Sequence, residues 1–221
     1  MNSTTHTTPD ATPDATPDAT PADILDFWLG DGVQTGWPSQ DLARRWFGGG
    51  SELDETIKSR FGARVLQALD GTLGDWTQTA ATPALGRLAH IILLDQFTRN
   101  VFRGQARAFS GDTVAQQLVL NGLNRQLDQQ LPLVGRVFFY MPLMPAENLE
   151  LQNACVAHFE QLLKDSPPEL QEQLRGNLDF ARTHRDIIVK FGRFSYRNAV
   201  MGRASTAEEA AFLENGPRFG Q

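Results

Sequence analysis

Two stretches of this chain crowd arginine, asparagine and carboxylate side chains into surroundings that are otherwise apolar. The first is Asp95-Gln96-Phe97-Thr98-Arg99-Asn100-Val101-Phe102-Arg103-Gly104-Gln105-Ala106-Arg107, and the second runs from His184-Arg185-Asp186 to Arg193-Phe194-Ser195-Tyr196-Arg197-Asn198. If helix continues to Arg103, then Asp95, Arg99 and Arg103 recur every fourth residue and share one face. Gly104 would end that helix and let Arg107 fold back toward the same place. In the second stretch Arg193 and Arg197 are again a turn apart, and Gly192 permits a break between two helices. A guanidinium offers a planar fork of donors that matches carboxylate or phosphate. Arg99, Arg103, Arg193 and Arg197 are therefore candidate anion ligands, with Asn100 and Asn198 fixing orientation and Tyr196 supplying a stacking face or a hydroxyl. Arg107 and Asp186 complete the candidate ligand set, and His184 is the candidate catalytic base. His184 and Asp186 lie about 200° apart on a helix, so a carboxylate that orients the imidazole must come from another element. The competing structural reading is that these groups satisfy one another between helices.

Other chemistries find less support. Cys155 sits three residues before His158 in an amphipathic run, where a packed core thiol explains it better than a thiol–imidazole dyad. Gly48-Gly49-Gly50-Ser51 would present free amides at a helix start but lacks the lysine of a phosphate loop, so it reads as a flexible link. No spacing of Cys, His, Asp or Glu suggests a metal site, and no cofactor motif is present. A single cysteine excludes an internal disulfide.

The elements that must position these residues are helical. Ile24, Leu25, Phe27 and Trp28 follow Pro21 and stop at Gly30. Asp41 to Phe47 makes a short piece before the glycines. Leu53, Ile57, Phe61, Val65 and Leu69 recur every four residues behind Ser51, a candidate N-cap, with Gly71 closing the helix. Thr82-Pro83 opens the next helix. Asp112 caps residues 113–130, Pro132 opens a compact helix through Met141, and residues 147–163 and 167–191 are longer amphipathic runs. Ser205 with Glu208 forms a capping box for a last helix ending at Asn215-Gly216. No sustained alternation marks a strand. The pattern predicts an all-α, antiparallel array of about nine or ten helices.

The chain of 221 residues carries a formal net charge of −6, yet seven aspartates and no base precede Arg44, so the remainder is close to neutral. That balance argues against a nonspecific nucleic-acid binder, which needs a basic face. Thr-Pro-Asp-Ala recurs through residues 8–19. Prolines at that spacing and so little apolar surface predict a disordered tail over residues 1–20, followed by one all-α domain over 21–221. No apolar run is long enough for a membrane span and no signal peptide is visible, which predicts a soluble, cytoplasmic protein with no membrane partner.

The stretch Leu93–Asp112, the segment Phe138–Met144 and the run from His184 through Gly202-Arg203-Ala204-Ser205 to Leu213 resemble the bacterial "domain of unknown function 924" family, from about Ala22 to Gly216. The resemblance implies a tetratricopeptide-like array of helices. Through a related fungal group, the arginine-containing cyclodipeptide synthases, it also implies aminoacyl-tRNA as a partner. The chain departs from the family pattern in three places. Thr98 stands where a proline is usual, Pro145-Ala146-Glu147 where His-Ser-Glu is usual, and Ser195-Tyr196 where Pro-His is usual. Two family histidines are thus replaced. If they transfer protons in the family, this chain has lost groups that ordinarily contribute about 10²–10⁴-fold in rate.

These features lead to two expectations. One is a helical binding module that grips an anionic small molecule or a peptide end. The other is an acyl- or aminoacyl-transfer enzyme with His184 as base. A non-catalytic protein-interaction scaffold is the third alternative.

Overall fold

The computed structural model describes residues 19–77 and 82–217. The expected disordered tail falls almost wholly on residues 1–18, outside the described residues. Ala19 and Thr20, counted with that tail by composition, instead belong to the body. The Arg64 Nε donates to the Ala19 carbonyl at 2.8 Å, and Thr20 caps the first helix in a reciprocal box with Asp23.

Among the described residues there is no strand, and ten α-helices follow in order. They are α1 Pro21–Leu29, α2 Gly32–Thr35, α3 Ser51–Leu69, α4 Pro83–Ile92 and α5 Thr98–Val101, then α6 Asp112–Asn124, α7 Leu133–Tyr140, α8 Leu149–Asp165, α9 Gln171–Phe191 and α10 Ala207–Asn215. Several boundaries shift from those read in sequence. Gly50, not Ser51, is the N-cap of α3, and Gly111, not Asp112, is that of α6. The last capping box is Thr206 with Glu209, one residue later than Ser205 with Glu208.

The larger departure concerns two segments that wind as π-helix: Arg44–Gly48, and Leu93–Phe97 between α4 and α5. A π-turn inserts residues into the helical count and rotates everything that follows. Here α5 ends at Val101, and the Asp95–Arg99–Arg103 line expected on one helix face is broken. Leu93, Leu94 and Phe97 remain fully buried while Asp95 and Gln96 turn toward a cavity.

One large apolar core unites α1, α3, α4 and α6 to α9, and aromatic rings form its centre. Trp28 meets Phe97 edge-on at 5.3 Å and Phe138 at 6.0 Å, and Trp46 meets Phe138 at 5.1 Å. A satellite cluster of Ile187, Ile188 and Phe194 lies under the C-terminal segment. That segment is strapped across the body by two carboxylates. Glu147 accepts from the Phe194 amide at 2.8 Å and from Arg203 at 2.6 Å, and Glu209 accepts from both ends of the Arg193 fork at 2.7 and 2.8 Å.

Candidate functional site

The two polar stretches, far apart in sequence, meet at one open cavity of about 830 Å³. One wall is the π-turn Leu93–Phe97 with α5. The opposite wall is the face of α9 carrying Asn177, Phe180 and His184. The strap adds Tyr196 and Arg197, and the first π-turn with the three glycines closes the rim.

Each polar side chain is held by identifiable neighbours. Arg99 donates to the Asp112 carboxylate at 2.6 Å and to the Ala108 carbonyl at 2.5 Å, and lies 3.9 Å from Asp95. Arg197, almost fully buried, reaches the other oxygen of Asp112 at 3.4 Å and the Tyr196 hydroxyl at 3.3 Å. Both guanidiniums also rest on the Phe109 ring, at 4.9 and 4.5 Å from its centre. Two arginines thus share one carboxylate and one ring, and this rigid pair faces the cavity. The close approach has a sequence cause. A Cβ at Gly111 would overlap the Leu94 carbonyl, so only glycine lets α6 start against the π-turn and bring Asp112 within reach.

Arg103, past the end of α5, turns instead to Asp54 on α3 in a two-pronged pair at 2.7 and 2.9 Å, with Asn100 donating to the same carboxylate at 2.8 Å. Burial would raise the Asp54 pKa, but these donors outweigh it and hold the group below the usual carboxylate range. Gly49 makes room for this pair. Its φ is +59°, and a Cβ there would stand 3.2 Å from the Arg103 guanidinium.

Asp95 is 3% exposed and accepts from Gln96 at 2.6 Å. Burial, reinforced by Asp112 and opposed by Arg99, pushes its pKa up to about 6. His184 places Nδ1 2.8 Å from the Phe180 carbonyl. A carbonyl only accepts, so Nδ1 carries the proton and Nε2 the lone pair. Burial pushes this imidazole down to about 4.

The remaining candidates lie elsewhere. Arg107 is exposed and stacks on Phe102 at 4.4 Å. Asp186 is exposed and pairs with its neighbour Arg185. Arg193 is engaged by Glu209, and Asn198 donates to Ser205 and Glu209 at 3.0 and 3.3 Å. These last two hold the strap that carries Arg197 and do not line the cavity. Asp95, Asp54, Trp46, Phe47 and Phe180 line it without having been singled out as ligands from sequence. Phe180 carried a signal, since it falls off the apolar stripe Leu174, Leu178, Ala181, Ile188 of α9. Gly48-Gly49-Gly50, read as a plain link, forms part of the rim. Cys155 is fully buried in the core, and His158 stacks on Tyr140 at 4.4 Å. Among the described residues no group of three Cys, His, Asp or Glu could hold a metal ion, and no helix is long and apolar enough to cross a membrane.

Residues 24–217 match the model of a family described as a bacterial protein of unknown function, DUF924. The chain belongs to this family. A solved structure of a protein of unknown function from Agrobacterium tumefaciens is similar to it at 32% identity, with a TM-score of 0.72 over 89% of this chain and 97% of that one. No curated protein matches the chain.

Proposed function

We propose that this DUF924 member is a small-molecule binding protein whose cavity grips an anion on Arg99 and Arg197 and packs the ligand's apolar body against aromatic walls. The observation that carries this reading is the arginine pair. Two guanidiniums converge on a single carboxylate at the base of an open cavity, and the second carboxylate, Asp95, approaches only Arg99, at 3.9 Å. Phe47 and Phe180 support it. They stand on the cavity wall yet are 61% and 55% exposed, a state a bound apolar group would relieve.

The acyl-transfer alternative rests on His184, which lines the same cavity with its Nε2 lone pair unprotonated at neutral pH. A pKa near 4 makes it a weak base, far from the match to working pH that general base catalysis favours. Binding therefore accounts for the geometry better than turnover does.

Calorimetric titration with 3-phenylpropionate, 2-phenylethyl phosphate and neutral 3-phenylpropionamide tests the binding reading. At least one of the two anions is expected to bind and the amide not to. Arg197→Gln should weaken anion binding about tenfold or more, the worth of a charge-assisted hydrogen bond. Equal binding of the amide, or an unaffected Arg197→Gln, would contradict the proposal.

A further inference from the structure

The charges that line the cavity limit which anion it can take. Arg103 is cancelled by Asp54, and Arg45 on the rim is turned to the Phe27 carbonyl and stacks on that ring at 4.9 Å. The base of the cavity therefore comes down to four groups: Arg99, Arg197, Asp112 and Asp95. Asp112 lies between the two guanidiniums, and Asp95 stands 3.9 Å from the same Arg99 Nη2 that Asp112 contacts. With both carboxylates ionised the set is neutral. An arriving anion then has two carboxylates against it and no spare positive charge, unless one carboxylate takes up a proton. Asp112 is held by both arginines, whereas among the described residues Asp95 has only Gln96 in close contact and Arg99 at 3.9 Å. Asp95 is thus the group that gives way.

We propose that the cavity takes a monocarboxylic acid with an apolar, ring-sized body, its carboxylate seated on Arg99 and Arg197 and joined to Asp95 through one shared proton. This rests on the anion-binding reading above and goes further by naming the ligand's charge, its head group and the proton bound with it. One negative charge plus one proton restores neutrality at the base of the cavity. A phosphate monoester would bring a second charge that the four groups at the base do not offset, since Arg45 stands on the rim. A sulfonate has the right charge but is too weak a base to share a proton with a carboxylate, so it forfeits the strongest contact. The proton comes from solvent on binding and returns to it on release, and no bond other than the O–H is made or broken.

The groups acting on Asp95 fit this role. Arg99 comes from α5, Asp112 from α6, Arg197 from the strap and Cys155 from α8, while Asp54 of α3 on the same wall is already held by Arg103. The burial that pushes the free Asp95 to about 6 leaves it mostly ionised at neutral pH yet easily protonated. Phe47 from the first π-turn and Phe180 from α9 then cover the body of the acid.

The test is calorimetry of the full chain at pH 7 in Bis-Tris and in imidazole, two cationic buffers whose ionisation enthalpies differ, with three probes that share a phenylethyl body. 3-Phenylpropionate should bind with uptake of close to one proton, and its affinity should fall by up to about tenfold per pH unit from pH 6 to 8. 2-Phenylethanesulfonate and 2-phenylethyl phosphate should bind about tenfold more weakly or worse. Asp95→Asn should abolish both the proton uptake and the pH dependence of whatever 3-phenylpropionate binding remains. The buffer comparison on the wild type decides the matter even if that variant does not fold. Carboxylate binding without proton uptake, or a preference for phosphate, would overturn this inference and leave the anion cavity standing. Binding of none of the three anions would overturn both.

Discussion

Arg99 and Arg197 reach the cavity from different halves of the chain, yet lean on the same carboxylate and the same phenyl ring. Sequence made both arginines visible, because a planar fork in an apolar neighbourhood is conspicuous. It gave Asp112 a different role, the cap of a helix, since an aspartate ahead of a helical run ordinarily satisfies a backbone amide there. In the fold Asp112 makes no capping bond and serves as the shared counter-charge. Asp112→Asn would leave two guanidiniums side by side with their common anion gone, one of them almost wholly buried. Removing one partner of such a set costs about 3–5 kcal/mol. Urea unfolding should therefore show Asp112→Asn destabilised by about 3 kcal/mol, whereas Asp186→Asn, which loses only a contact on the solvent face, should stay within about 0.5 kcal/mol of the wild type.

At the scale of the elements, helix positions were legible and helix winding was not. Pro21, Gly30, Pro83, Pro132 and Gly216 mark starts and stops by backbone chemistry that does not depend on tertiary context, and the helices fall close to them. The π-turn at Leu93–Phe97 leaves no such mark. It looks like uninterrupted apolar helix, and only the packing of α3 and α6 around it decides that Leu93, Leu94 and Phe97 go inward while Asp95 and Gln96 face the cavity. Gly111 is the trace of that packing in the sequence, because nothing larger fits beside the Leu94 carbonyl. Gly111→Ala should force α6 away from the π-turn, cost about 1–3 kcal/mol by overpacking, and weaken anion binding by displacing Asp112. A chemical denaturation curve unchanged from wild type would show that the contact is not tight.

For the whole molecule, the all-α class followed from periodicity alone, but the meeting of residues 93–103 with 184–197 did not. Long-range convergence depends on how α9 lies across the body and on the strap that Glu147 and Glu209 fasten. Both carboxylates sit in stretches whose pattern suggested only helix starts. The assembled fold also sets a pH response. His90 and His184 are buried and pushed down to about 4, against about 6.5 in an unfolded chain. Stability they contribute is present above about 6.5 and lost as pH falls toward 4. Asp95, pushed up to about 6, acts in the opposite sense, contributing below about 4 and losing that contribution as pH rises through 6. Burial also shifts His158 down and Asp112 up, so three imidazoles outweigh two carboxylates. Stability should fall from pH 6.5 to 4 by up to about 1.4 kcal/mol per pH unit, and more steeply in Asp95→Asn, which lacks one of the opposing groups. Melting temperatures across that range check the sign, and an unchanged slope in the variant would contradict the raised Asp95. The most informative single experiment is an NMR titration of the four tryptophan indole N–H signals with 3-phenylpropionate. Trp28 and Trp46 line the cavity, whereas Trp76 packs under Arg64 outside it. Saturable shifts at Trp28 and Trp46, none at Trp76, and loss of the response in a folded Arg197→Gln protein are the expected result. No shift at the cavity pair would mean that the two polar stretches hold each other together and bind no anion, and a response that survives Arg197→Gln would mean that the acid is held without the arginine pair.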